Sequence, residues 1–362
     1  MSQPGLLTQT LGLKVSDEAT RFIDSFEFRK HAEYRWPAAS SAYREIARLL
    51  PNHYVDLNTG QAHRYWPNRA ITPQSREFAA AEIVRLLQGL MAGITQRYSC
   101  ILGLTAGLDS RIVLAATKPI IDRLSTMTVR QGRMPTHHDD LVIAAKLAKT
   151  FQLQHRVVNS YPFMTANFSS AFKKNVFLSH EHYGPDAEAI FNAFGRKKVT
   201  ITGSGSEVGR LPFRLRPEAK KAVLTGRDLA SIQNMGDAPF ALQHFSSWLD
   251  DIAVRHGVPV LDLFGWEQGH GCWLAATQIE FDIAWQEIFT PFNCRKVLLH
   301  FLSVEERLRG YPGNLMHKDL ISRMWPELLA VPINPSSQGQ NTLLAKAKSG
   351  IKRGIKSILK SE

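Results

Sequence analysis

Cysteine is scarce in this 362-residue sequence: Cys100, Cys272 and Cys294 are all it has. They are scattered, odd in number, and form no CxxC pair. That argues against a disulfide framework or structural zinc and suits a reducing compartment, so the expected location is the cytoplasm. Long uncharged apolar runs are missing, and no stretch reaches the length needed to span a bilayer. Asp17, Glu18 and Arg21 interrupt any early run of the signal-peptide kind. No tract is of low complexity, no Gly-Lys-Ser/Thr marks a Walker loop, and no HExxH helix occurs. Acids are in the minority, 32 against 44 Lys and Arg, for a net charge of +12. The last twenty residues carry six Lys/Arg against one acid, which leaves about +7 for the rest. A basic body suits a polyphosphate ligand, an anionic substrate or an acidic partner, and charge alone does not choose among them.

What is present centres on Ile101-Leu102-Gly103-Leu104-Thr105-Ala106-Gly107-Leu108-Asp109-Ser110-Arg111. An apolar run ends in small residues and an apolar-periodic segment follows, which predicts strand, tight loop and helix. Thr105, Ala106 and Gly107 have little side chain to keep an anion from the backbone amides. Ser110 lies where the helix begins, and free N–H groups of a first helical turn attract phosphate. Asp109 could hold a divalent cation between its carboxylate and that phosphate. A second segment, Thr200-Ile201-Thr202-Gly203-Ser204-Gly205-Ser206-Glu207-Val208-Gly209-Arg210, repeats the design: apolar strand, small residues, then an acid. Arg210 lies close enough to this loop to meet phosphate. The rest of the basic run, Arg214, Arg216, Lys220 and Lys221, reads as a solvated face.

Around these loops strands alternate with helices. A helix is expected over 73–98, with Thr72 and Ser75 as candidate caps and Phe78, Ile83, Leu86, Leu87, Leu90 and Ile94 as its apolar stripe. Strands are expected over 100–104, 124–129, 155–158 and 198–202. Another helix is expected over 140–151, burying Leu141, Ala144, Ala145 and Ala148. The alternation predicts an α/β fold, a parallel sheet with helices on both faces, followed from Asp228 by a mostly helical half. Ligands of such sheets sit at the carboxyl ends of the strands. Two short strands are expected on either side of an Asn58-Thr59-Gly60 turn.

Residues 105–110 resemble the Ser-Gly-Gly-x-Asp-Ser pyrophosphate loop of the asparagine synthetase family of ATP pyrophosphatases. Thr105 replaces Ser and Ala106 replaces the first Gly, which requires that position 106 avoid positive φ. The second loop resembles the family's Ser-Gly-Glu-Gly-Ser/Ala-Asp-Glu motif. Glu207 falls at the metal-binding Asp, and Ser204 at the Glu or Tyr tied to activating the amine. Glu287-Ile288-Phe289-Thr290-Pro291-Phe292 resembles the Glu-x-Arg-x-Pro-Phe block, and His317-Lys318-Asp319-Leu320 the helix whose Lys meets the ATP phosphates. The resemblance spans about 50–335. It implies the adenine nucleotide alpha hydrolase-like fold, with ATP and Mg²⁺ as cofactors and Asp109 and Glu207 as metal ligands. By the same resemblance Thr105, Gly107, Asp109 and Ser110 would hold the pyrophosphate, and Leu104, Val129, Thr202 and Gly203 would border the adenosine. Asp109, Glu207, Glu287 and Lys318 would form the catalytic set.

The implied reaction is an ATP-dependent amide-forming ligation. A carboxylate, on a small molecule or a polymer precursor, becomes an acyl-adenylate with release of pyrophosphate and then passes to ammonia or an amine. Leu50–Pro67 resembles the end of a glutaminase domain whose remainder is missing, and Ser2 stands where the nucleophilic Cys belongs, so ammonia, a substrate amine or a separate glutaminase would serve as nitrogen source. The alternatives are a ligase using an internal amine, as β-lactam synthetases and lasso-peptide cyclases do, and a nucleotide-binding scaffold without catalysis. Nucleic acid is not an expected partner: no RNA-binding domain is visible, and the aromatic stretch 266–285 reads as core. His137-His138-Asp139-Asp140 reads as a loop ending in an Asp N-cap rather than a metal site, and His180-Glu181-His182 as loop. The domain reading is a remnant over 1–70, the synthetase-like domain over 71–335, and a linker with a tail over 336–362. In that tail Leu344, Ala347, Ile351, Ile355, Ile358 and Leu359 are interleaved with Lys/Arg, predicting a basic amphipathic helix suited to peripheral membrane contact or to packing on the body.

Overall fold

The computed structural model describes residues 4–25, 28, 36–176, 178, 182–210, 213–284 and 286–335. The tail, Trp285, His180 and Glu181 lie outside the described residues. Strands β1 (His53–Val55) and β2 (Ala62–Arg64) pair antiparallel. Gly60, at φ +70°, takes the left-handed position of the turn between them.

The main sheet contains β3 (Cys100–Gly103), β4 (Ser125–Arg130), β5 (His155–Asn159), β6 (Val199–Ile201) and β7 (Ile288–Phe289), all parallel, in the order β5-β4-β3-β6-β7. It is wound on both faces, and the two-residue period of β3 shows why. Cys100 and Leu102 point into one cluster with Ile83, Leu87, Ile112, Phe301 and Leu320. Ile101 points the other way, into a cluster with Met127, Val158, Ala187 and Ile190. A strand buried on both sides reads as a continuous apolar run, as Cys100–Leu104 does. From β3 the chain winds outward through β4 to β5, then crosses back to begin β6 on the other flank of β3. The loops leaving β3 and β6 therefore part company at neighbouring strand ends. Such a switch point opens a crevice at the carboxyl edge of the sheet.

Several boundaries move inward from their sequence expectation. The long helix is Arg76–Arg97, because the Ser75 hydroxyl accepts from the Phe78 amide at 3.2 Å and sets its start. It has 22 residues, and an 18-residue stretch of it has a mean hydropathy of 1.3, long and apolar enough by composition alone to cross a membrane. In this fold Ala79, Ala80, Ile83, Leu87 and Met91 face the protein core, while Glu82 and Arg85 pair on the outside. The next expected helix is Asp139–Thr150, and its cap is His138 rather than an Asp: Nδ1 accepts from the Asp140 amide. It buries Leu141, Ile143, Ala144 and Leu147, whereas Ala145 is exposed. Ile143 thus takes a core place that was expected for Ala145, as its larger transfer free energy favours.

Apolar residues from the first seventy positions share one core with the helical half. Phe22, Phe28, Trp36, Tyr43, Leu50 and Trp66 cluster with Leu229, Phe245, Trp248, Phe264 and Trp266. Glu267 is fully buried there, and four donors satisfy it: Arg64 Nη1 and Nη2 at 2.6 and 2.9 Å, Trp248 Nε1 at 2.8 Å and Asn52 Nδ2 at 2.8 Å. Gly265–Leu274 is wound as a π-helix between two α-helical segments, a geometry no sequence period announced.

Candidate functional site

The site begins where β3 ends. Leu104 still belongs to the sheet: its amide donates to the Met127 carbonyl at 2.7 Å, and its side chain is fully buried in the core. Only its backbone could therefore border an adenosine. Ala106 is also buried, and its φ is not positive, so the alanine stands at the expected glycine position without strain. Its peptide is clamped from both sides. The amide donates to Asp140 Oδ1 at 2.8 Å, and the carbonyl accepts from the Asn334 amide at 3.2 Å.

The helix Leu108–Ala116 starts next. Its N-cap is Gly107, which has no side chain to cap the orphan amides, so the first turn leaves N–H groups for a ligand or water. The Thr105 and Ser110 hydroxyls lie 2.9 Å apart beside it, and Thr105 Oγ1 accepts from the Gly107 amide at 3.2 Å. The helix is held from below by Arg111, fully buried and without a carboxylate partner among the described residues. It donates to the carbonyls of Val331 (2.5 Å), Pro332 (2.9 Å) and Leu328 (3.4 Å). Burial alone pulls its pKa down to about 10.

From β6 comes the second loop, and Gly203 brings it against the first. A Cβ placed there would lie 2.4 Å from Asp109 C, 2.5 Å from Ser110 N and 2.6 Å from Asp109 O. Backbone meets backbone, and only glycine fits. Gly205 has a φ of +106°, and its amide donates to Glu207 Oε2 at 2.7 Å. Ser206 donates its hydroxyl to Asp109 Oδ1, and Arg210 Nη2 donates to Asp109 Oδ2 at 2.7 Å while lying 3.9 Å from Glu207 Oε1. Both carboxylates therefore look onto one point of the cleft, as their sequence positions implied. The Asp109 carboxyl is raised from 3.8 to about 6, first by burial and then by the nearby Glu207 charge, with Arg210 opposing.

Two histidines, missed in the sequence, support this loop. His317 is fully buried, its ring stacks on Phe301, and Nε2 donates to the Ser206 carbonyl at 3.2 Å. Burial drives its pKa down to about 3, so it is neutral across the physiological range. His270, from the π-helical turn, lies against Gly205: a Cβ on that glycine would be 3.3 Å from its Nε2. No local pattern marked either, since each reaches the loop from more than sixty residues away.

The remaining expected residues scatter. Thr202 lies at the lip, its hydroxyl 2.9 Å from that of Ser204. Val129, half-buried, ends in the core on the far face of the sheet. Glu287 is exposed. It immediately precedes β7, in register with the start of β6, and its carbonyl accepts from the Thr200 amide at 2.8 Å. Its backbone thus lies at the amino edge of the two-residue β7, about 7 Å of strand from the carboxyl edge. Lys318 is exposed on the helix Leu315–Met324, and its buried neighbour His317 is the residue that reaches the second loop.

A divalent cation fits the acid pair on one count. Asp109 and Glu207 already share a positive charge at one point, which is what an ion bridging them would require. Among the described residues no group of three or more His, Cys, Asp or Glu could hold a metal by itself. Further ligands would have to be phosphate oxygens and water, the habit of Mg²⁺.

No protein-family model matches the chain, and no curated protein matches it in sequence. Among solved structures it is similar to the glutamine-dependent NAD⁺ synthetase of Acinetobacter baumannii in complex with ADP, at 15% identity and a TM-score of 0.28, over 43% of this chain and 30% of that one. It is similar to the NMN synthetase of Francisella tularensis at 13% identity and a TM-score of 0.25, over 63% and 93% of the two chains. The NAD⁺ synthetase of Burkholderia pseudomallei follows at 15% identity and a TM-score of 0.22, over 64% and 89%. The chain thus spans under a third of the first of these. At such scores the likenesses carry no argument, and the doubly wound parallel fold rests on the strand order and the two buried faces described above.

Proposed function

We propose that this chain is an ATP-dependent ligase of the asparagine synthetase type, which activates a carboxylate as its acyl-adenylate and passes the acyl group to ammonia or an amine. One observation carries the reading. Two strand-end loops touch backbone to backbone at the switch point of a parallel sheet, and they turn an uncapped helix terminus, Asp109, Glu207 and Arg210 toward one crevice. That set suits a polyphosphate rather than a neutral metabolite.

In this reading the first-turn amides of Leu108–Ala116, with the Thr105 and Ser110 hydroxyls, hold the β- and γ-phosphates. The substrate carboxylate oxygen attacks the α-phosphorus, and the bond to the β-phosphate oxygen breaks, releasing pyrophosphate. The amine nitrogen then attacks the acyl carbon and AMP leaves. Bound Mg²⁺ would neutralise the departing pyrophosphate, and Asp109 and Glu207 are the residues that would hold it. Arg210 adds a cation beside them, and by the family resemblance Lys318 would supply a second. Ser204, whose hydroxyl is engaged with Thr202, supplies no base for the amine. An amine that arrives unprotonated, or ammonia, answers that lack.

The test is ATP–pyrophosphate exchange with purified protein against a panel of amino-acid and dicarboxylate substrates. Exchange dependent on one carboxylate is the expected result. ADP binding with no exchange for any carboxylate would favour a nucleotide-binding scaffold without catalysis, and absence of nucleotide binding would overturn the reading altogether.

A further inference from the structure

We infer that Arg210 is the resident counter-ion of the Asp109–Glu207 pair in the nucleotide-free protein, and that it yields this place to a divalent cation and turns to phosphate when polyphosphate enters. The inference rests on the polyphosphate reading of the cleft and goes beyond it, because nothing in the motif calls for a cation at position 210.

Three features of the side chain support it. First, its Nη2 lies 2.7 Å from Asp109 Oδ2 and 3.9 Å from Glu207 Oε1, so one nitrogen serves both acids at the point where a bridging ion would lie. Second, the hold is partial. Guanidinium binds carboxylate best through two parallel N–H bonds, and here neither acid receives a fork. Arg210 Nε is buried without a hydrogen-bond partner, leaving donors that a phosphate could take. Third, the side chain is only partly enclosed, 24% exposed, and hangs from the last residue of the short 3₁₀ helix Ser206–Arg210, three residues after Glu207. It can turn about its own bonds without moving Glu207, whose Oε2 stays anchored on the Gly205 amide.

The charge balance gives the direction of the exchange. Two carboxylates and one guanidinium leave a net charge of about −1, which repels an arriving polyphosphate. Replacing the guanidinium with a divalent cation makes the pair neutral, and the freed Arg210 then adds its charge on the phosphate side. Arg210 and the metal thus compete for Asp109 when phosphate is absent and cooperate when it is present.

The experiment measures Mn²⁺ binding by electron paramagnetic resonance on full-length wild type, R210Q, R210K and D109N, without and with inorganic pyrophosphate, each variant first shown to melt cooperatively. Without pyrophosphate, R210Q should bind Mn²⁺ about fivefold or more tightly than wild type, the scale of one partly exposed charge pair. R210K should lie near wild type, and D109N should lose most Mn²⁺ binding. With Mn²⁺ saturating, pyrophosphate should bind R210Q at least about fivefold more weakly than wild type. Equal or weaker Mn²⁺ binding by R210Q, with pyrophosphate still bound by wild type, overturns the counter-ion role and leaves the cleft reading standing. Absence of both Mn²⁺ and pyrophosphate binding in wild type overturns the two together.

Discussion

Gly203→Ala tests the contact on which the site depends. The added methyl would sit 2.4–2.6 Å from three backbone atoms of Asp109 and Ser110, against an ordinary carbon contact of about 3.5–4.0 Å. No side chain can rotate away, because the obstructing atoms are main chain. The loops must therefore part by about 1 Å, and overpacking of that kind costs roughly 1–3 kcal/mol. In a chain of 362 residues each kcal/mol lowers the melting temperature by roughly 1–2 °C, so a fall of about 1–5 °C is expected. The larger effect falls on the ligand. An error of about 1 Å in catalytic geometry is enough for losses on the order of 10²-fold, so ADP titration by calorimetry should show binding severely weakened or gone. Gly89→Ala is the control. Gly89 is exposed on the helix Arg76–Arg97 with nothing within 4 Å of a new Cβ. It should raise stability by up to about 1 kcal/mol and leave ADP binding unchanged. A Gly203→Ala protein that melts within a degree of wild type and binds ADP equally well would falsify the contact and the cleft built on it.

Asp109→Asn has a pH signature. Because the native carboxyl is raised from 3.8 to about 6, the unfolded chain loses its proton first as pH rises, and stability is lost between about pH 4 and 6. The variant escapes that loss, so its melting temperature relative to wild type should climb from pH 4 to pH 7, by the equivalent of up to about 3 kcal/mol; a pH-independent difference refutes the shift. Arg111→Met should strand the carbonyls of Leu328, Val331 and Pro332, cost about 1–3 kcal/mol, and speed amide exchange over 328–335, including the Asn334 amide that clamps Ala106. Unchanged exchange there would dismiss the tether. For the tail, loss of residues 341–362 should abolish co-sedimentation with anionic vesicles at low salt, each lysine near such a surface contributing about 1 kcal/mol. Equal sedimentation of both proteins, or of neither, ends the proposal of membrane contact.

Much of this architecture was legible in the sequence because its causes are local. The apolar run over 100–104 and the β-branched run over 199–202, each followed by small residues, had few conformations open to them other than strand and turn. The alternation of strand with helix then imposed a parallel sheet. Acids directly after both small-residue turns had to lie at the carboxyl edge, so Asp109 and Glu207 could be paired without coordinates. The two-residue β7 and the π-helical turn escaped because neither is long enough or regular enough to show a period.

Only the tertiary structure decided who neutralises whom. Ser206 and Arg210 reach Asp109 across about a hundred residues, His317 reaches Ser206 from a similar distance, and Arg111 finds its carbonyls beyond 325. It also placed Glu287 on the surface just before β7, with its carbonyl tied to Thr200 of the neighbouring strand. The physical reason is the same in each case. Local sequence sets the backbone of a turn, whereas the partner of a charge is set by which distant segment packs beside it, and that follows from burying the apolar faces of the whole chain.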